Sequence, residues 1–180
     1  MNKLEKYKQK RDFKKTPEPL ESKPGDKNIF VVQKHNASNL HYDFRIQIED
    51  VLVSWAVPKG PSMDPSIKRL AIPTEDHPLA YADFEGTIPE NQYGAGTVMV
   101  WDIGTFENIK DQSLQEQKEN GQIEIKLQGK KLKGNFSLVK FRGGNDFLEQ
   151  KWLLIKMSDQ YADRKNDILK QNPDSAKTGK

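Results

Sequence analysis

The sequence predicts an all-β fold, a barrel or sandwich with minor helices. Three observations lead there. Short apolar runs of strand length recur along the chain. Glycine- and proline-containing turns separate them. Residues 41–49 alternate between apolar and polar side chains, the period of a half-buried strand. At 180 residues the chain is expected to be one domain with some length left for arms.

The elements follow in order. Residues 1–27 hold three prolines and many lysines and read as a mostly irregular arm. The first strand begins at Ile29-Phe30-Val31-Val32, the second covers 41–49 and the third runs from Val51 to Val57. Glu49-Asp50 is a tight hairpin link, without the Asn-Gly or Asp-Gly that such turns prefer. Pro58-Lys59-Gly60-Pro61 is a loop, and Arg69–Pro73 a short strand. Residues 75–96 read as a long ordered loop, a feature that tends to be functional inside a domain. Thr97–Trp101 is strand-like. Ser113–Asn120 is helix-compatible, with Gly121 placed to end it. Ile123, Ile125 and Leu127 alternate, and residues 132–141 and 151–157 form two more strands. A short helix is expected over 160–171 and disorder over 172–180. The organisation is therefore a basic arm over 1–27 that docks on the domain, a β domain over 28–160, and a short helix with a basic tail over 161–180.

Composition narrows the function. With no cysteine there is no disulfide, and any metal must take nitrogen and oxygen ligands. No apolar run reaches the ~18 residues of a membrane span. Met1–Lys15 lacks the apolar segment of a secretory signal, so a cytoplasmic location is expected. The net charge of +3 is uneven. Residues 1–27 carry nine Lys/Arg against five Asp/Glu, whereas 28–160 carry fifteen against eighteen. Basic ends are either solvated tails or arms that contact a polyanion.

The chemistry concentrates in His35-Asn36-Ala37-Ser38-Asn39-Leu40-His41-Tyr42-Asp43-Phe44-Arg45. Residues two apart in a strand share a face, so His41, Asp43 and Arg45 point one way and Tyr42, Phe44 and Ile46 the other. An imidazole, a carboxylate and a guanidinium on one strand face suit a metal site with a phosphate clamp beside it. His35, six residues before His41, either supplies a third ligand and leaves coordination positions open or, like most histidines, is a satisfied core or surface residue. Such a set suits a borderline-to-hard divalent ion such as Mn or Zn. Arg45 either pairs with Asp43 or holds a phosphate in bidentate fashion. His77, held before Pro78, suits a general acid or a transition-state donor, or bonds Asp76 to steady the loop. Tyr81 either donates its phenol to a phosphate oxygen or packs. Lys59 and Arg69 are the next cations along the chain. In the arm, Phe13 and the prolines around Glu18 favour docking over a free tail.

Several ordered blocks carry a family resemblance. They include Arg11-Asp12-Phe13-x-x-Thr16-x-Glu18-Pro19, Phe30-Val31-Val32-Gln33-Lys34-His35, Leu40-His41-Tyr42-Asp43-Phe44-Arg45 and Ser54-Trp55-Ala56-Val57-Pro58-Lys59-Gly60-Pro61. Further on come Glu75-Asp76-His77-Pro78-Leu79-x-Tyr81, Phe84-Glu85-Gly86-x-Ile88-Pro89, Tyr93-Gly94-x-Gly96-Thr97-Val98 and Trp101-Asp102. From about residue 7 to 163 the chain resembles the 3′-phosphoesterase domain of bacterial DNA ligase D, in its stand-alone form.

The resemblance implies a compact antiparallel β-barrel with a few short surface helices and a manganese-dependent site, with Zn2+ or Co2+ as alternative ions. It implies removal of a 3′-terminal ribonucleoside, and then of the 3′-phosphate, from DNA or DNA/RNA primer-template ends during repair by end joining. By matching positions His35, His41 and Asp43 are the metal ligands. Arg45 and His77 contact the scissile phosphate with Tyr81 assisting, and Arg11, Asp12 and Glu18 are required for activity. Lys59 and Arg69 line the site and bind substrate, and Gln33 is a further substrate-binding candidate. Separate polymerase and ligase proteins are the expected partners, since the chain is too short to hold either, and a monomer is expected.

There are departures from the family. Asn36, Ser38 and Asn39 stand where basic residues are frequent, Asn91 where Gly is common and Phe106 where Trp is common. Two other classes remain open on the residues alone. One is a non-catalytic module that binds nucleic-acid ends, which has no need of His35, His41, Asp43 and His77 together. The other is non-haem iron chemistry, which also uses two histidines and a carboxylate, but the arginines and lysines nearby favour phosphate.

Overall fold

A computed structural model describes residues 3–20, 28–141 and 151–179. Among the described residues nine strands form the fold: β1 (Ile29–Asn36), β2 (Leu40–Ile48), β3 (Val51–Val57), β4 (Lys68–Pro78), β5 (Gly86–Ile88), β6 (Gly96–Asn108), β7 (Gln122–Gly129), β8 (Lys133–Lys140) and β9 (Trp152–Lys156). All pairings are antiparallel, in the order β1-β2-β3-β4-β9-β8-β7-β6. β6 then returns to β1, which closes an eight-stranded barrel. β5 is a ninth strand, paired with the start of β6. Closure leaves no barrel edge for another chain to extend.

Strand alternation decides what lies inside. Phe30, Val32, Phe44, Ile46, Val53 and Trp55 from β1–β3 pack with Ile123, Ile125, Leu127, Phe136, Leu138 and Leu154 from the far wall. Burying each large aliphatic or aromatic side chain contributes roughly 1.5–3 kcal/mol. The opposite face of β1–β3 is not left to water. Val31 and Leu52 form a second cluster with Tyr7 of the arm and with Leu79, Tyr81 and Ala82 of a 3-10 helix over Leu79–Asp83. That second layer turns the outer wall of β1–β4 into the floor of a covered cavity.

Several expectations change in the structure. The arm, mostly irregular among its described residues, carries one short helix, α1 (Glu5–Gln9), whose Tyr7 is fully buried. The stretch 75–96 is not a single long loop. β4 continues to Pro78, the 3-10 helix follows, and β5 takes Gly86–Ile88. Glu49 and Asp50 do form the tight β2–β3 link, with Glu49 at φ 58°. Lys3 of the arm pairs with both carboxylates.

The helix expected after Ser113 is present as α2 (Leu114–Asn120). The Ser113 side chain caps the Glu116 N–H, and Gly121 at φ 78° ends it. Only Ile168–Gln171 of the stretch 160–171 is helical (α3). Residues 172–179, from the stretch 172–180 expected to be disordered, instead lie against the barrel. The Ala176 N–H donates to the Val100 carbonyl, and the buried Ser175 hydroxyl donates to Glu85 at 2.6 Å. No helix among the described residues is long and apolar enough to cross a membrane.

Candidate active site

The β1–β2 register builds the core of the site. His35 pairs directly with His41, and Gln33 with Asp43. Hence Gln33 and His35 share one face with His41, Asp43 and Arg45. The ligating atoms of His35, His41 and Asp43 all lie within 4.8 Å of one another. His35 Nδ1 lies 3.6 Å and His41 Nε2 3.3 Å from the Asp43 carboxylate.

The outer nitrogens of both rings meet carbonyls. His35 Nε2 lies 2.6 Å from the Gly94 oxygen, and His41 Nδ1 3.1 Å from the Asn39 oxygen. A carbonyl only accepts, so each outer nitrogen donates outward, and the inner nitrogen faces Asp43, donating to the carboxylate when it carries a proton and offering a lone pair to an ion when it does not. Outward hydrogen bonds that set the tautomer are the usual support of metal-bound histidines. Burial by itself pushes the Asp43 carboxyl up. The Arg45 guanidinium and hydrogen bonds from the two histidines outweigh it, so the carboxyl sits well below the usual carboxylate range. An ionised carboxylate and two correctly turned imidazoles suit a divalent metal, and these three residues would hold it.

Cations stand next to that cluster. Arg45 Nη2 is 3.4 Å from Asp43 Oδ2, and its Nε donates to Gln33 Oε1 at 2.7 Å. Gln33 Nε2 in turn donates to the carbonyls of Tyr81 at 2.7 Å and Phe84 at 3.0 Å. Gln33 is therefore a buried clamp between Arg45 and the 3-10 helix. His77 reaches the same floor from β4, opposite Leu52, beyond a register shift in the β3–β4 ladder.

His77 Nδ1 donates to the Glu75 carbonyl at 2.8 Å, which leaves Nε2 unprotonated, 3.5 Å from Arg11 Nη2. Arg45 Nη1 also comes within 3.2 Å of Nδ1. We assign the Nδ1 proton to the carbonyl because it is nearer and can only accept. Burial, and then Arg45 and Arg11, hold the His77 pKa well below its ordinary value, so the ring is neutral near pH 7. Of the two readings of His77, the loop bond to Asp76 is replaced by one to the Glu75 carbonyl.

The arm closes the cavity from above. Arg11 Nε donates to Glu18 Oε2 at 2.9 Å and its Nη1 to Glu75 Oε1 at 3.2 Å. The Tyr81 hydroxyl also donates to Glu18 Oε2, at 2.5 Å, and the Thr16 hydroxyl to Glu18 Oε1 at 2.9 Å. The Arg11 and Glu18 side chains are 5% and 0% exposed, so this is a buried ion pair with its remaining polar atoms occupied. The cavity beneath holds about 310 Å³ and is lined by Arg11, His35, His41, Asp43, Arg45, His77 and Tyr81, among others.

Gln33 and Glu18 reach this lining only through Arg45, Arg11 and Tyr81, and three further sequence candidates stand apart from it. Lys59 is exposed in the loop after β3, and Arg69 lies near the start of β4; neither borders the cavity. Asp12 is exposed, and its side chain accepts from the Lys14 N–H in a turn that brings the arm around to Thr16. Conversely, the residue reading passed over Glu75 as a site residue, although it borders the cavity and fixes both Arg11 and His77. Its position two before His77 was the available signal. Gly94 was overlooked as well, because its contribution is a backbone carbonyl that no sequence pattern displays.

Two imidazoles and a carboxylate beside two arginines, on the wall of a closed β-barrel, suit a phosphoesterase class of site. Comparison with known proteins then places the chain more narrowly. It belongs to the family of DNA ligase D 3′-phosphoesterase domains, whose model matches residues 33–140. It is 47% identical over 180 residues to the multifunctional non-homologous end joining protein LigD of Pseudomonas aeruginosa, covering 96% of this chain and 21% of that protein. It is 43% identical over 162 residues to the multifunctional non-homologous end joining DNA repair protein LigD of Mycobacterium tuberculosis, covering 88% and 20%. With LigD of Mycolicibacterium smegmatis the identity is 40% over 174 residues, covering 93% and 22%. The chain thus spans about a fifth of the length of these relatives.

Proposed function

We propose that this protein heals 3′ ends of DNA or DNA/RNA primer-templates by metal-dependent phosphoester hydrolysis. In the first reaction water cleaves the bond between phosphorus and the terminal ribonucleoside, which leaves as an alcohol and exposes a 3′-phosphate. In the second, water cleaves phosphorus from the 3′ oxygen and yields a 3′-OH and inorganic phosphate. The observation that carries this reading is the meeting of His35, His41 and Asp43 with Arg45, His77 and Arg11 in one covered cavity.

His35, His41 and Asp43 hold the ion, with Mn2+ as the preferred species and Zn2+ or Co2+ as alternatives. A divalent ion bound there supplies Lewis acidity toward a phosphoryl oxygen. Arg45 and Arg11 bind the remaining phosphoryl oxygens and offset the charge that develops on them. Gln33 holds the Arg45 guanidinium plane in place, so it acts through Arg45. His77 enters as a neutral ring between two guanidiniums; bound phosphate offsets their charge and lets Nε2 exchange a proton with the reacting oxygens. Tyr81 and Glu18 position Arg11, and the Asp12 turn sets the path of the arm.

Lys59 and Arg69, outside the cavity, are assigned to the nucleic-acid backbone, where binding weakens with salt. The domain division 1–27, 28–160 and 161–180 is retained as an arm, a catalytic barrel and a carboxy-terminal strap. A cytoplasmic monomer that hands its 3′-OH ends to separate polymerase and ligase proteins completes the proposal.

The test uses a labelled primer-template ending in one ribonucleotide or in a 3′-phosphate. It is incubated with manganese, with chelator, and with His41→Ala protein. Metal-dependent conversion to a 3′-OH, lost in the variant, is the expected result. Binding without conversion across Mn, Zn, Mg and Co overturns it in favour of an end-binding module.

A further inference from the structure

Tyr81 and Tyr93 both border the cavity, but they differ in setting. Tyr81 is buried at 2% exposure within the wall, whereas Tyr93 is 49% exposed. An aromatic ring left half open to water beside a phosphate-binding cavity is not accounted for by packing.

The ring is nevertheless held in place. The next residue, Gly94, takes φ 76°, and its carbonyl receives the His35 Nε2 proton at 2.6 Å. Gly96, at φ 138°, lies so close to β1 that an added Cβ would stand 2.2 Å from the Asn36 oxygen. Backbone contact on the strand end therefore anchors the segment that carries Tyr93. Cations attend the ring as well. Lys10 Nζ lies 4.5 Å from its centroid and donates to its hydroxyl at 3.3 Å, and Arg11 Cζ lies 5.4 Å from the centroid. An exposed tyrosine fixed one residue from the His35 support and flanked by cations presents a stacking surface for a base next to a place for its phosphate.

We infer that Tyr93 is the platform for the leaving nucleoside, stacking on the 3′-terminal base while its phosphate lies among Arg45, Arg11 and the His35–His41–Asp43 cluster. This rests on the phosphoesterase reading and adds a substrate determinant to it. Stacking tolerates any base, so the platform selects for the presence of a terminal nucleoside and not for its identity. A 3′-phosphate end carries no leaving nucleoside and draws nothing from the ring.

The experiment compares wild type, Tyr93→Ala and Tyr93→Phe on two primers, one ending in a ribonucleotide and one in a 3′-phosphate. In Tyr93→Ala, KM should rise more for the ribonucleotide end than for the 3′-phosphate end, by about five- to a hundredfold, the worth of one stacked base. Tyr93→Phe should restore the loss, because it keeps the ring. In parallel, a primer ending in 2-aminopurine riboside is titrated in chelator, and its emission should change on wild type and Tyr93→Phe but not on Tyr93→Ala. Equal penalties on both primers, or an emission change that survives in Tyr93→Ala, overturns the platform. If wild type cleaves neither primer, hydrolysis fails as the function. The emission titration then still decides the platform alone.

Discussion

The His35 imidazole donates its Nε2 proton to the carbonyl of Gly94 at 2.6 Å. One hydrogen bond thereby ties β1 to the segment before β6 and turns Nδ1 toward Asp43, 3.6 Å away. The orientation of a candidate metal ligand thus depends on a backbone oxygen 59 positions further along the chain. His41 repeats the arrangement locally through Asn39.

Removing a ligand should abolish metal binding without unfolding the barrel. His41 is the partly exposed member of the set, so His41→Ala leaves no large cavity in the core. Its manganese affinity should fall at least ~100-fold, beyond the 10- to 100-fold typical of losing a supporting contact. Isothermal titration with Mn2+ measures this, and far-ultraviolet circular dichroism checks that the fold persists.

Metal binding should weaken as pH falls, starting above pH 6.5. The hydrogen bond to Asp43 is the largest influence on His41, and its pKa is raised from 6.5. An ion must displace that proton, so a raised pKa moves competition to higher pH. Asp43 stays ionised throughout this range and contributes no step. At limiting Mn2+, activity should therefore fall as the pH drops through the raised His41 pKa, and added Mn2+ should shift the drop to lower pH. A profile insensitive to metal concentration counts against this assignment.

Glu18 should matter to both stability and turnover. Its carboxylate holds Arg11 and Tyr81, and all three side chains are buried. Breaking a buried pair by removing one partner costs about 3–5 kcal/mol. Glu18→Ala should lose stability on that scale in urea unfolding. Glu18→Gln, which keeps the shape, should lose less. Both should turn over slowly because Arg11 is released from its position over His77.

Asp102 is a stability residue remote from the chemistry. Its carboxylate accepts from the N–H groups of Ile103, Lys130, Lys131 and Leu132 at 2.8–3.1 Å. Each buried donor left unpaired costs ~1–3 kcal/mol. Asp102→Ala should lower stability by about 3 kcal/mol or more in urea unfolding, while the folded fraction binds Mn2+ with wild-type affinity.

Much of the molecule is legible in its sequence. Alternation in β2 separated Phe44 and Ile46 from Asp43 and Arg45, and the structure puts the first pair in the barrel core and the second on the cavity floor. Ser113 and Gly121 marked the limits of α2 because capping is a local interaction. Strand period and helix caps depend on near neighbours, so sequence displays them directly.

What only the tertiary structure decided involves distant partners. The pairing of His35 with His41 follows from β1–β2 register, and the meeting of Arg11, Glu18, Glu75 and His77 from an arm folded over β4. The extent of β4 through His77 comes from ladder pairing that overrides Pro73 and Pro78. The strand face of Asp43 was determined by its immediate neighbours. Which groups converge above that face was decided by barrel closure and by the arm, through contacts between residues far apart in the chain.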